Sequence, residues 1–263
     1  MSLVFASICP HPPLIIPTIG QENLKLVEKT TRAMKRLERK IKRAQPEIIL
    51  TISPHGPLFA DAFTLNLSDK FIAEFKNFGD FSTHLEFKGN LDLAYKIRES
   101  LETKLPLTMV TEPILDHGSA VPLYYLTSKL KNFSIIPITY SLLDYQMHLE
   151  FGRQLKEIIA SDLKRIAIVA SGDLSHRLTF DAPAGYSPQG IVFDQKLISL
   201  LKKRAVKKIL ELDQKLIEEA GECGLRSILI LLGVLEGVSY QLQILSYEGP
   251  FGVGYLVANF KLK

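Results

Sequence analysis

Short runs of branched apolar residues recur along this chain, and stretches with the spacing of amphipathic helices separate them. The runs at residues 3–6, 48–50 and 166–170 predict buried strands, and residues 22–44 predict a helix. The alternation continues throughout, with no internal repeat and no linker. It therefore predicts a single α/β domain over residues 1–263, a three-layer structure with a mixed, mainly parallel central sheet flanked by helices.

Three further segments refine this architecture. Residues 240–245 alternate between apolar and polar positions and predict a strand, and residues 255–260 predict another. The alternation indicates an antiparallel edge of the sheet. Residues 121–130 predict a helix with its proline in the first turn. Residues 71–87 contain five phenylalanines in an otherwise irregular segment. These rings could line an aromatic substrate pocket, but packing of the segment against the core is the commoner explanation and is what we expect.

The composition fits a protein with a sizeable core. Apolar residues make up 46% of the 263, charged residues 23%, and the net charge is +4, which excludes a disordered chain and does not indicate nucleic acid binding. The longest apolar stretch, residues 228–235, is too short to span a bilayer, and no signal peptide is evident. Two distant cysteines, Cys9 and Cys223, argue against a disulfide scaffold. We therefore expect a cytoplasmic protein without nucleic acid or membrane partners.

Histidines in loops are the main functional signal. Four of the six histidines lie in loops bounded by glycine or proline next to apolar segments: His11, His55, His117 and His176. The first two follow prolines that cannot continue a central strand, so they should lie just past strand ends. In an open α/β sheet this edge is where ligands bind. One such histidine would be explained by hydrogen bonds that cap a strand, whereas four in matched settings indicate a metal site.

The candidate ligand set consists of two imidazoles and one carboxylate. Such a set suits Fe(II), with zinc and manganese as alternatives, and leaves coordination positions open. His11 and His55 are the candidate imidazoles. Glu222 is the candidate carboxylate because glycines bracket it just before an apolar helix.

The remaining polar residues of these loops have other candidate roles. Asp116 and Asp173 could also be metal ligands, but their proximity to histidines is typical of residues that orient an imidazole. His117 and His176 would then be free to bind substrate oxygens or to transfer protons, which is the natural chemistry of histidine near neutral pH.

Taken in order, the motifs PHPP, SPHG, DHG and DLSH resemble those of the class III extradiol ring-cleavage dioxygenases, typified by LigB, the catalytic subunit of protocatechuate 4,5-dioxygenase. The likeness is greatest to the stand-alone bacterial and archaeal branch that includes the Memo-like proteins of the AmmeMemoRadiSam system, and it extends from His11 to about Gly224. It implies an Fe(II)-dependent enzyme that inserts both atoms of O2 into a small aromatic diol next to its hydroxyl groups.

The resemblance also implies roles for individual residues. The residues implied to bind iron are His11, His55 and Glu222. His176 is implied to be the catalytic acid/base, and His117 is implied to contact the substrate, with Asp116 and Asp173 beside them in the substrate site. Symmetric dimers are the commonest assembly of soluble oligomers, and we expect a homodimer.

A cysteine beside the candidate carboxylate keeps a second assignment open. In Memo-like members a cysteine in a Cys-Gly context occupies the third ligand position, and Cys223 followed by Gly224 matches that context. A thiolate there would favour zinc or copper over iron. The alternative functions are a Memo-like metal-binding protein with a redox or partner-interaction role and no ring cleavage, and a zinc hydrolase that uses the same two histidines.

Overall fold

A computed structural model describes residues 2–263, which fold around one large sheet. The strands are β1 (Leu3–Cys9), β2 (Ile48–Ser53), β3 (Phe63–Asn66), β4 (Lys70–Phe75), β5 (Asp80–Lys88), β6 (Leu107–Val110), β7 (Ser134–Thr139), β8 (Ile166–Ser171), β9 (Tyr240–Glu248) and β10 (Tyr255–Leu262). The helices are α1 (Pro17–Gly20), α2 (Glu28–Ala44), α3 (Leu91–Leu101), α4 (His117–Thr127), α5 (Tyr145–Ser161), α6 (Pro188–Lys202), α7 (Val206–Leu210), α8 (Gln214–Ala220) and α9 (Leu225–Val234). Short 3-10 turns cover Pro13–Ile15, Gln21–Lys25 and Lys76–Phe78.

Within residues 2–263, eight strands form the main sheet in the order β6-β3-β7-β2-β8-β1-β10-β9. Strands β7, β2, β8 and β1 are successive parallel neighbours, and β6 runs parallel to β3. Strand β3 pairs with β7 in the antiparallel sense, and β10 joins β1 to β9 as an antiparallel edge. The predicted mixed, mainly parallel sheet with an antiparallel C-terminal edge is therefore confirmed.

Both faces of the sheet are covered by helices. Helices α2 and α4 pack together on one face, and α5 and α9 pack together on the other. Successive residues of β8 alternate between the two cores: Ile166 and Ile168 belong to one, Ala167 and Val169 to the other. Because both sides are buried, this strand has a continuous apolar sequence. No helix in residues 2–263 is long and apolar enough to cross a membrane.

The phenylalanine-rich segment is more regular than its sequence indicates. Strands β4 and β5 form a separate two-stranded antiparallel sheet instead of an irregular excursion. Phe71, Phe75 and Phe87 are buried in the core, as expected, whereas Phe78 and Phe81 are exposed. A short 3-10 turn closes the hairpin and ends at Gly79, whose φ of +84° is a conformation that glycine adopts readily.

Helix α4 begins earlier than the sequence indicates. His117 is its first residue, so this histidine lies on a helix end and not in a loop, and Pro122 lies inside the helix and not in its first turn. The cause is Asp116, whose Oδ1 accepts a hydrogen bond from Ser119 N at 3.0 Å and caps the helix.

Candidate metal centre

Three adjacent strands position the candidate site residues at one edge of the sheet. Strands β2, β8 and β1 are parallel neighbours, so their carboxyl ends meet at the same edge. His55 follows β2, Asp173 follows β8 and His11 follows β1 within two residues each. The order of the strands therefore brings together loops that are far apart in the sequence.

His11 is buried and held in one orientation. Pro122 has no N–H to bond the Gly118 carbonyl one turn earlier, and that carbonyl accepts a hydrogen bond from Ser171 Oγ at 2.5 Å instead. Because the Ser171 hydroxyl donates there, its oxygen accepts from His11 Nδ1, 2.9 Å away. The His11 ring is thereby fixed as the tautomer that leaves a lone pair on Nε2.

The lone pair of His11 faces a second imidazole. His55 Nε2 lies 3.0 Å from His11 Nε2. Burial lowers the pKa of His11 well below its usual value, and loss of solvent lowers that of His55 to about 4, with repulsion from His117 as the second cause. Both rings are therefore neutral at pH 7, and the gap between them suits one proton or one cation bound to both nitrogens.

Cys223 supplies the third atom that points toward this gap. Its Sγ lies 3.6 Å from His11 Nε2, and the ligand atoms of His11, His55 and Cys223 all lie within 4.8 Å of one another. In residues 2–263 this is the one group of three or more such side chains close enough to hold an ion. Burial raises the pKa of the free thiol well above its usual value, so a bound cation is what would stabilise the thiolate here.

Glu222, the carboxylate favoured by the sequence, is turned toward the next helix. Its Oε2 accepts a hydrogen bond from Leu225 N at 2.5 Å, at the start of α9, and the residue is not part of the group of convergent ligand atoms. Burial raises its pKa to about 7. The Glu222 carboxylate therefore accepts a hydrogen bond at the start of α9, whereas the Cys223 thiol lies beside the histidines.

A contact between two glycines brings Cys223 to the histidines. A Cβ on Gly172, at the end of β8, would lie 2.2 Å from Gly224 Cα. Only glycine permits two backbones to approach this closely. The contact seats the loop before α9 against the strand end, where Asp173 N donates to Cys223 Sγ at 3.3 Å.

His117 and His176 complete a cluster of four histidines. The His117 ring stacks on His55 with centroids 4.2 Å apart and is contacted edge-on by Phe78. His176 is close enough that its charge would lower the pKa of both His11 and His55. Its Nδ1 is buried and has no hydrogen-bond partner among residues 2–263. Burial lowers the pKa of both His117 and His176, so they are neutral near pH 7.

The two aspartates contact the loops that carry the histidines. Asp173 Oδ1 accepts from His11 N at 3.0 Å, and burial raises the Asp173 pKa to about 7. Asp116 Oδ1 accepts from Ser53 Oγ as well as from Ser119 N. Neither aspartate belongs to the convergent ligand group in residues 2–263. Both positions suit orientation of the neighbouring histidine loops.

An open cleft adjoins the cluster and offers room for a small molecule. It has a volume of about 380 Å³ and is lined by residues that include His55, Asn66, Glu112, Asp116 and Thr139. The volume lies at the lower end of the range typical of ligand sites.

The other two histidines lie elsewhere. His84 is on strand β5 beside Glu86, and His148 is buried in α5, where its ring contacts the backbone carbonyls of Ser141 and Asp144. Sequence reasoning missed Ser171, whose only signal is that a hydroxyl ends an otherwise apolar strand.

The chain is similar to known proteins in sequence and in fold. A family model described as the catalytic LigB subunit of aromatic ring-opening dioxygenase matches residues 5–258. Protein CA_C1420 of Clostridium acetobutylicum is 37% identical over an aligned length of 272 residues. The alignment covers 99% of this chain but 58% of that longer protein. The fold is similar to that of uncharacterized protein JW3007 from Escherichia coli K12, with a TM-score of 0.71, 20% identity, and coverage of 97% of this chain and 99% of the other.

Proposed function

The chain belongs to the family of the catalytic LigB subunit of aromatic ring-opening dioxygenases, and on this premise we propose that it is a metal-dependent dioxygenase that opens the ring of a small aromatic diol. The observation that carries the proposal is the cluster of four histidines at the carboxyl edge of the sheet: His11, His55, His117 and His176. The family implies non-haem Fe(II) as the metal.

The chain's own residues have distinct tasks in this proposal. His11, His55 and Cys223 would hold the metal, which when bound supplies the place where the diol and O2 meet. His117, whose ring stacks on His55, would hydrogen-bond a substrate oxygen. His176 would take the proton of a substrate hydroxyl at a ring nitrogen and later return it, because a neutral imidazole near pH 7 can act both as base and as acid.

The experiment that tests this function combines metal loading with turnover. The purified protein, reconstituted with Fe(II) under anaerobic conditions, is mixed with O2 and a panel of catechols, and O2 uptake and the yellow ring-opened product are measured. His176→Gln should lower kcat by about 100-fold or more with unchanged iron content. His84→Gln, at an exposed histidine outside the cluster, is the matched control and should leave kcat unchanged. One iron per chain without turnover of any catechol would contradict the proposal.

The thiol favours one alternative function. Cys223 is a softer ligand than a carboxylate, and a His-His-Cys set suits zinc or copper. A metal-binding protein with a redox or partner-interaction role and no ring opening is therefore the second candidate. Metal competition separates the two: retention of zinc or copper against a large excess of Fe(II), together with no O2 uptake, would favour it.

A further inference from the structure

Phe78 is an apolar residue that lies against the histidine cluster. Its ring contacts His117 edge-on, with centroids 5.3 Å apart and planes inclined at 66°. This separation lies within the range in which aromatic rings attract each other. The residue is nevertheless 41% exposed. A single exposed ring is ordinary on a protein surface, but this one touches a side chain to which the proposed function gives a substrate contact, so its uncovered surface is adjacent to where a ligand would bind.

The other phenylalanines of the β4–β5 hairpin have different surroundings. Phe71, Phe75 and Phe87 are buried in the core that the hairpin shares with α2 and α4, and they hold the hairpin on the body of the protein. Phe81 is 79% exposed. Of the five, Phe78 is the one whose ring contacts a histidine of the cluster in residues 2–263. Its position is therefore not explained by packing of the core.

Strand β4 is hydrogen-bonded to the segment that leads into His117. Ile72 N donates to the carbonyl of Pro113 at 2.7 Å, and Leu115 N donates to the carbonyl of Ile72 at 2.8 Å. A two-stranded hairpin is marginally stable by itself, so such bonds to the body of the protein fix its position. The strand that precedes Phe78 and the segment that precedes His117 are thus held side by side.

Asp80 fixes the other side of the hairpin tip. It is buried, follows Phe78 by two positions, and accepts a hydrogen bond at Oδ2 from Thr18 Oγ1 of α1, 2.5 Å away. Its Oδ1 accepts from Ser82 N at 2.9 Å, which orders the start of β5. Because α1 follows the loop that carries His11, the tip is joined to a second segment of the site. A ring held from both sides is already ordered, which lowers the entropy lost on binding.

We propose that Phe78 is the side chain against which the ring of a ligand bound at the metal centre packs, so that it selects aromatic over aliphatic ligands. Phe78 and His117 are in contact, so one ligand can touch both. Contact between two aromatic rings adds to the free energy gained from burial of apolar surface. The inference rests on the proposed function for the place where the substrate binds and goes beyond it in naming a residue that determines specificity.

The test measures binding and does not require turnover. The protein loaded with Zn(II), which does not react with O2, is titrated calorimetrically with benzohydroxamate and with acetohydroxamate. The two compounds chelate a metal through the same pair of oxygens, and only the first has a ring. Phe78→Leu keeps an apolar side chain without an aromatic ring. It should weaken binding of benzohydroxamate by about three- to tenfold, as expected for the loss of one aromatic pair, and leave binding of acetohydroxamate within about twofold. Phe78→Tyr should keep the wild-type affinity for both.

Phe81→Leu is the matched control, because it makes the same change on the same hairpin at an exposed ring. It should leave both affinities unchanged, and zinc per chain should be equal in all variants. Equal weakening of the two hydroxamates by Phe78→Leu, an unchanged affinity for benzohydroxamate, or no binding of either compound to the wild type would overturn the inference. Turnover is scored separately: a loss of affinity confined to benzohydroxamate, without O2 uptake from any catechol by the Fe(II)-loaded protein, would contradict ring opening and leave the role of Phe78 standing.

Discussion

At the scale of single residues, the neighbours Glu222 and Cys223 have different environments. The thiol lies beside two imidazoles, and the carboxylate bonds the first N–H of α9. Cys223→Ala should therefore lower metal affinity by more than tenfold. Glu222→Gln retains an acceptor oxygen for Leu225 N and should retain the metal. Metal per chain after dialysis against a graded chelator measures both.

The reverse result has a clear meaning. Loss of metal from Glu222→Gln together with retention by Cys223→Ala would assign the third ligand to the carboxylate. Urea unfolding of the metal-free variants serves as the control for folding, because a variant that binds less metal only through a damaged fold would also unfold at lower urea concentration.

The sequence locates the loop that contains the third ligand but leaves its identity open. Both candidates are metal-ligand types, and both are followed by Gly224 within two positions. Which side chain faces the histidines depends on the contact of Gly224 with Gly172, some fifty residues earlier in the chain, and on the start of α9. Neither constraint is local, so neither can be read from the motif.

At the scale of elements, the segment that precedes His176 is held by a buried carboxylate. Asp194 on α6 accepts from Ser175 N at 2.8 Å and from Tyr247 Oη of β9 at 2.6 Å. Burial raises the pKa of Asp194 from 3.8 to about 6. Between these two values the folded chain retains a proton that the unfolded chain has released. The free energy of unfolding therefore falls as the pH rises through this range, by up to about 3 kcal/mol.

Asp194→Asn isolates this contribution, because an amide can keep both hydrogen bonds and does not titrate. Urea unfolding of the metal-free proteins at pH 4, 5, 6 and 7 should show a smaller decrease in stability for the variant than for the wild type. The pH dependence of wild-type stability does not by itself isolate Asp194, since burial also raises the pKa of Asp173 and Glu222. An equal decrease in stability with pH for the two proteins would show that the pKa of Asp194 is not raised in the folded chain.

Elements differed in how well their sequences predicted them. Strand β8 and the antiparallel edge follow from local patterns and were predicted. The β4–β5 hairpin was missed because glycine, aspartate and asparagine interrupt its sequence. Three of its five phenylalanines are buried, and this pattern depends on the pairing of the two strands. The start of α4 was misplaced because Pro122 was assigned to the first turn, whereas the Asp116 cap begins the helix earlier.

At the scale of the whole molecule, the proposed ligands lie far apart in the sequence, at positions 11, 55 and 223. A metal that binds all three stabilises the folded chain over the unfolded one. At a free metal concentration about 100-fold above Kd, the gain should be about 2.7 kcal/mol. Urea unfolding with metal or with chelator measures it. His11→Ala should abolish the gain, and His84→Ala should preserve it. An equal gain in both variants would indicate binding elsewhere.

The pairing of β1 with β10 also has a consequence for how the chain folds. The first strand is bonded to the last one, with nearly the whole sequence between them, and contacts this distant in sequence form slowly. During synthesis, the loop that carries His11 has its complete surroundings only after Cys223 and then β10 have been made. The three convergent ligands therefore come together only after the loop before α9 has been synthesised, because Cys223 follows the two histidines in the sequence. A metal that needs all three ligands binds a chain in which most of the sheet strands have already been made.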